Sequence, residues 1–371
     1  MKPIPTGRSG GENLRVTRAV GVVGTATLLS RIMGYARDMV LASFFGTGMT
    51  ADAFIAAFRI PNLLRRLFGE GSLSVAFVPV FTETMLTGGR RDGLRLAVSS
   101  LKLLLICLAV VTIVGVVATP QIISLVAPGF AESADKLALT ILLTRIMFPY
   151  VVLIGLVALC MGILNAMGHF AAPAIAPVLL NLAMIASVLL VSRFSSDQTV
   201  QVIGLSAGVI LGGLLQLWLQ IPFLVQYGVR FWEKSGLWHP RMRTVGMLML
   251  PTVFGAAVYQ INILVGTLLA SLLPQGSVSY LYYADRLVQF PLGIFAQAAA
   301  TAVLPSLSRQ VAVGDRLGMA DTFAHAMNLV LFITIPAMVG LIVLRVPIVA
   351  LLFRHGAFDA HSARLTSDAL L

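Results

Sequence analysis

Charge is scarce in this chain, and acid scarcer than base. Among 371 residues, 15 Asp and Glu stand against 26 Lys and Arg, so 11% of the chain is charged while 58% is hydrophobic. Only two cysteines occur, Cys107 and Cys160, isolated in apolar segments, and the five histidines are scattered. Without CxxC or HxxxH spacing, metal and redox chemistry find no support, and neither metal nor cofactor is expected. No GxxxxGK[ST] loop is present, so ATP hydrolysis is not expected. The Asp-x-Asp, phosphatase-like Lys/Arg-Pro or paired-His patterns that a membrane enzyme of polyprenyl phosphates would need are also missing, which argues against an enzyme. The first fifteen residues are polar and Gly-rich, and the apolar stretch behind them runs into Arg31 and Arg37 without a small-residue cleavage site. A cleaved signal peptide is therefore not expected.

What is abundant is apolar sequence. The mean hydropathy of +0.93 is far above what a soluble chain needs, and runs of about 20 apolar residues, enough to span a bilayer, recur with Gly and Pro inside them. The pattern predicts an all-α polytopic membrane protein with spans at 18–45, 50–85, 96–119, 137–165, 172–192, 199–226, 244–272, 278–311 and 320–344. A tenth span begins near His361, and the chain reads as a C-terminally incomplete copy of something longer. Net charge is +11, a value that could suggest nucleic acid. Its distribution argues otherwise: fourteen Lys and Arg fall at the amino terminus and in alternate connections, against five in the opposite ones. That asymmetry is a topology signal that predicts a cytoplasmic amino terminus, and no nucleic-acid partner is expected.

Shifting the sequence by 227 residues places Arg59 on Arg286, Phe68 on Phe295, Pro120 on Pro347, Leu125 on Leu352 and Gly129 on Gly356. Coincidence at several anchors across two helices and a loop points to one module used twice. The offset spans six predicted helices, an even number, so both copies enter the membrane in the same direction. The expected architecture is two parallel six-helix repeats around a central cavity, with the second lobe incomplete. Parallel repeats of this kind put the substrate site between the halves near the midplane. The corresponding division is a tail at 1–17, an N-lobe at 18–226, a basic linker at 227–243 and a partial C-lobe at 244–371.

The charges inside the apolar segments carry the functional argument. Arg31, Arg37 and Asp38 sit on the first span, Asp52, Arg59, Arg65, Arg66 and Glu70 on the second, and Arg286 on the eighth. A charge near the middle of a membrane helix costs roughly 2.5–3.5 kcal/mol, so a cluster persists where it meets water, a partner charge or an anionic ligand. The competing bland readings are a snorkelling arginine for Arg59, Arg65 and Arg66 and a buried ion pair for Arg31, Arg37 and Arg286. The functional reading is a cavity lined by Arg31, Arg37, Asp38, Asp52, Arg59, Arg65, Glu70 and Arg286. Guanidinium groups match phosphate oxygens bidentately and stay charged, so a phosphate or pyrophosphate headgroup is the natural ligand.

The run Ser30-Arg31-Ile32-Met33-Gly34-Tyr35-Ala36-Arg37-Asp38, then Ala51-Asp52-Ala53-Phe54, Pro61-Asn62-Leu63-Leu64-Arg65-Arg66-Leu67-Phe68, Ala76-Phe77-Val78-Pro79 and Tyr282-Tyr283-Ala284-Asp285-Arg286-Leu287 resembles the MurJ (MviN) family. The resemblance extends from about residue 15 over the rest of the chain. It implies membership of the multidrug/oligosaccharidyl-lipid/polysaccharide exporter superfamily and flipping of lipid II, the undecaprenyl-pyrophosphate-linked peptidoglycan precursor, across the bacterial cytoplasmic membrane. The implied partners are lipid II, membrane lipids and other cell-wall synthesis proteins. The resemblance carries cavity roles onto Arg31, Arg37, Asp38, Asp52, Arg65 and Arg286, with Arg37, Arg65 and Arg286 foremost for the pyrophosphate or adjoining sugar. Gln289 stands where some members have Glu, and the seventh span has no acid for a sodium site of the kind described in some members. Family members have about fourteen helices, the last two forming a groove for the lipid tail, which this chain lacks. Rival readings are a related lipid-linked oligosaccharide or drug exporter, and a non-transporting cell-wall scaffold.

Overall fold

The computed structural model describes residues 9–68, 72–231, 236–293 and 297–371. Those residues form helices and turns with no strand, as a chain confined to hydrocarbon must if every backbone N–H and C=O is to be satisfied within its own segment. In chain order the helices are α1 (Ser9–Phe45), α2 (Met49–Phe68), α3 (Ser72–Thr87), α4 (Gly89–Val117), α5 (Thr119–Val126), α6 (Ala134–Met147), α7 (Tyr150–Ala166) and α8 (Ala171–Val191). They continue with α9 (Gln198–Gln226), α10 (Met242–Ser271), α11 (Ser277–Pro291), α12 (Gln297–Ala312), α13 (Arg316–Val343), α14 (Arg345–Phe353) and α15 (Ala360–Asp368). A 3-10 turn, Pro128–Glu132, joins α5 to α6.

Among the described residues, six helical stretches are long and apolar enough to cross a membrane: α4, α6 with α7, α8, α9, α10 and α13. The predicted span at 137–165 proves to be two helices, α6 and α7. The break has a clear cause, because Pro149 has no N–H to donate. Phe148 N still reaches Thr144 O at 2.8 Å, and Val151 N closes a short turn onto Phe148 O at 3.0 Å. The predicted spans at 50–85 and 278–311 include residues 69–71 and 294–296, which lie outside the described residues. The stretch between the third and fourth spans is also more ordered than a loop, since it holds α5 and the 3-10 turn.

The chain divides into two compact units, residues 1–41 with 53–273, and residues 42–52 with 274–371. In the first unit the core joins α3, α4, α7, α9 and α10 through Phe77, Phe81, Leu96, Leu159, Ile163 and Leu224. The Phe77 and Phe81 rings stack at 5.4 Å. A second cluster gathers Ile60, Leu108, Ile123, Phe148 and Val151. Helix α10, which chain order assigns to the C-lobe, packs against α3, α5 and the 3-10 turn in this unit. Of the basic linker, residues 236–241 are tied to α3 and α4: Ser99 donates to Gly236 O at 2.7 Å, His239 lies 3.3 Å from Asp92, and Arg241 pairs with Glu83 at 2.9 Å. In the second unit Tyr283, Phe353 and Phe358 form a fully buried aromatic cluster with centroids 5.1–5.8 Å apart. No residue of α13 is buried.

Two glycines mark where backbones touch. A Cβ on Gly129 would sit 2.0 Å from Ser271 O at the end of α10, and one on Gly356 would sit 2.3 Å from Ser43 O near the end of α1. Gly356 also has φ +57, a left-handed conformation that disfavours any side chain. At the α7–α8 turn, His169 stacks on Phe223 at 4.3 Å, and desolvation by burial holds its pKa below the usual 6.5. The folded state therefore binds fewer protons than the unfolded one. Stability is complete above about pH 6.5 and falls as pH drops through the lowered value.

Gly129→Ala is expected to cost about 2 kcal/mol through overpacking against a carbonyl that cannot move aside. Thermal unfolding of the purified protein in detergent reads this, and an unchanged melting temperature would contradict the close approach. His169→Gln is expected to flatten part of the stability loss below pH 6.5, measured as melting temperature against pH.

Candidate functional site

Arg37 is buried, with 6% of its surface exposed, beside Asp38 at 2%. Its Nε and Nη2 donate to the same Asp38 carboxylate oxygen at 3.0 and 2.7 Å, and its Nη1 donates to Asn181 Oδ1 on α8 at 3.1 Å. Neighbouring residues on a helix point roughly 100° apart, so the two side chains must curl toward each other to pair. Arg31, six residues earlier on α1, is half-buried.

On α2, Arg59 Nη1 donates to Thr267 Oγ1 and, at 3.4 Å, to Ile263 O on α10. One heptad on, the Arg66 guanidinium lies 5.9 Å from the ring centre of Tyr259, also on α10. The shared face of Arg59 and Arg66 is thus turned to α10, with the two helices running antiparallel. Arg65, about 100° round from Arg66, bonds Asn62 Oδ1 at 2.9 Å within its own helix and is half-buried. Glu70 lies outside the described residues.

Asp52 has a role that helix periodicity does not suggest. It is 1% exposed, and its carboxylate accepts from Gly276 N at 2.8 Å, Ser279 N at 2.9 Å and Ser279 Oγ at 2.6 Å. It therefore caps α11 from another helix. An anion at a helix N-terminus meets both the unsatisfied N–H groups and the positive end of the dipole. Gly276, at φ +97, provides the left-handed turn that aims those N–H groups at it. In this arrangement the Asp52 oxygens are directed into backbone, whereas the sequence reading placed them in a cavity.

Arg286, on α11, is half-buried against Tyr282, with its carbon 5.3 Å from the ring centre and Nη2 3.3 Å from the hydroxyl. One turn on, Gln289 donates to Asp285. The amide that replaces an acid at 289 thus engages the neighbouring acid. Arg37, Asp38, Asp52, Arg59, Arg65 and Arg286 are each held by the element that carries them or by one packed beside it. The structure brings Arg37 and Asp38 together, turns Arg59 to α10 and sets Asp52 against the start of α11. Asn181 was missed from the sequence, although as the one carboxamide in the apolar run Ala171–Val191 it carried a legible signal.

The sequence profile described as "Lipid II flippase MurJ" matches residues 41–371. The chain belongs to the MurJ family. It is 40% identical over 364 residues to the "Probable lipid II flippase MurJ" of Vibrio cholerae, covering 96% of this chain and 69% of that protein. It is 37% identical over 362 residues to the "Lipid II flippase MurJ" of Burkholderia cenocepacia, with coverage of 96% and 69%. Among solved structures it superposes on "Lipid II flippase MurJ, inward closed conformation" with a TM-score of 0.78 at 31% identity, covering 94% of this chain and 70% of that one. An inward-facing multidrug resistance MATE family transporter of the MOP superfamily matches with a TM-score of 0.72 at 14% identity, over 95% and 79%. The second likeness is one of fold. Together they make the chain a multi-pass membrane protein built like the transporters of that superfamily.

Replacing Asp52 with Ala leaves two backbone N–H groups and a hydroxyl without their acceptor, and hydrogen bonds to a charged group contribute about 1.5–3 kcal/mol each. Asp52→Ala is expected to lower the melting temperature in detergent markedly, and Asp52→Asn to lower it less. Equal stability of all three proteins would remove the cap from the account of this residue.

Proposed function

We propose that this MurJ-family chain is a lipid II flippase, translocating the undecaprenyl-pyrophosphate-linked peptidoglycan precursor from the cytoplasmic to the outer leaflet of the bacterial inner membrane. The observation that carries the reading is family membership across residues 41–371 together with arginines inside apolar helices. A pyrophosphate is the ligand whose geometry and charge repay that placement. Arg31, Arg37, Arg65 and Arg286 are proposed to meet the headgroup, with Asp38 as the ion-pair partner of Arg37. The amino terminus is proposed to be cytoplasmic by the positive-inside distribution.

The proposed mechanism is alternating access between two lobes built as parallel repeats. The helix pattern supports this. Shifted by 227 residues, the starts of α2 to α6 fall within two residues of those of α11 to α15. Asp52 and Ser279, which bond each other, are themselves 227 apart. Gly129 and Gly356, equivalent at the same offset, each press on a carbonyl at the end of another helix.

Membrane potential is the proposed driving force, since each elementary charge crossing 100 mV is worth about 2.3 kcal/mol. A drug exporter for cations would favour buried carboxylates over these arginines, and a scaffold would leave the arginines dispensable. The test is complementation of a flippase-depleted bacterium, scoring lipid II exposed outside. Wild type is expected to restore exposure. Arg37→Ala and Arg286→Ala, accumulated to equal levels, are expected to reduce it about tenfold or more, the scale of one lost charged hydrogen bond. Variants as active as wild type would overturn the arginine mechanism in favour of the scaffold.

A further inference from the structure

Arg37 is held by a charged partner and by an uncharged one. Asp38 lies next to it in sequence and takes Nε and Nη2 through a single oxygen. A carboxylate on the adjacent residue can follow the guanidinium through many rotamers, so it neutralises Arg37 without fixing where the fork points. Nη1, the edge left over, donates to Asn181 Oδ1 at 3.1 Å. The same amide uses Nδ2 to donate to Ser30 O on α1 and Pro177 O on α8, both at 3.3 Å. Asn181 is 6% exposed and sits midway along α8.

Three consequences follow. A carboxamide in the middle of a membrane helix is costly unless both ends are bonded, and here both are. Ser30 O is the carbonyl that a regular helix offers to Gly34 N–H, and a Cβ on Gly34 would lie 3.9 Å from Asn181 Nδ2. The amide therefore grips α1 at its flexible glycine turn and grips the arginine one turn onward. Rotation or bending of α1 at Gly34 would move Arg37 relative to α8 unless Asn181 moved with both.

We propose that Asn181 is a positioning residue for Arg37, setting the direction of its guanidinium by tying it to the Ser30–Gly34 turn. This rests on the flippase reading and adds to it a determinant on α8 that carries no charge. Asn181 itself makes no contact with the substrate in this account and acts through Arg37.

The test is a double-mutant cycle. Binding of fluorescently labelled lipid II to the purified protein in detergent is measured for wild type, Asn181→Ala, Asn181→Leu, Arg37→Ala and the two doubles. Asn181→Leu keeps the branching at Cγ and leaves no void, so a cavity does not confuse the result. The expected result is about tenfold weaker binding for each Asn181 variant at an unfolding temperature close to that of wild type. In the Arg37→Ala background the same substitutions are expected to change nothing. Wild-type binding by both Asn181 variants would overturn the proposal. So would an equal loss with and without Arg37, or loss of the fold in both variants, since each makes Asn181 structural only. Failure of wild type to bind lipid II would sink the flippase reading, and unimpaired binding by Arg37→Ala would sink the arginine role; either takes the positioning role with it.

Discussion

A guanidinium placed in hydrocarbon must find its acceptors inside the protein, because no water is there to supply them. That requirement shapes the first unit around α1 and α2. Arg37 takes Asp38 and Asn181. Arg59 takes a hydroxyl and a carbonyl of α10, and Arg66 takes the face of Tyr259. Each of these contacts fixes one helix against another or one side chain against its helix. Cationic residues that a soluble protein would leave in water are here the ties between apolar rods. In hydrocarbon, apolar contact alone discriminates poorly between neighbouring helices.

The same requirement explains Asp52. A helix that starts in a low-dielectric environment leaves N–H groups needing acceptors. Asp52 meets two of them together with the Ser279 hydroxyl, so an essential-looking acid has its oxygens turned to backbone. Close backbone approach is the second device. Gly129 and Gly356 let helix ends meet carbonyl to backbone at distances where any Cβ would collide. These four positions lie on connections and helix ends, while the apolar lengths of the helices face lipid or one another.

Much of this was legible in the order of residues. Apolar runs of about 20 residues specify membrane helices by length alone, and the predicted spans at 172–192, 199–226, 244–272 and 320–344 match observed helices to within a few residues. The errors have specific causes. The span at 137–165 reads as continuous because hydropathy is blind to a missing N–H such as that of Pro149. Arg37 and Asp38 were legible as a pair because they are adjacent. The partners of Arg59, at Thr267 and Ile263, were not, since more than two hundred residues of chain separate them. Asn181 was overlooked because it carries no charge, although its isolation among apolar neighbours is itself a signal.

The sequence by itself determined that the chain is helical, crosses a membrane and belongs with the MurJ family, because hydrophobic length and local motifs are properties of contiguous residues. Tertiary structure alone decided what each buried charge does. A charge in an apolar segment must be compensated, but its compensation comes from whichever helix the fold places alongside: α8 for Arg37, α10 for Arg59, and the start of α11 for Asp52. Side-chain reach is a few ångströms and takes no account of distance along the chain. The identity of those partners therefore appears only once the helices are packed.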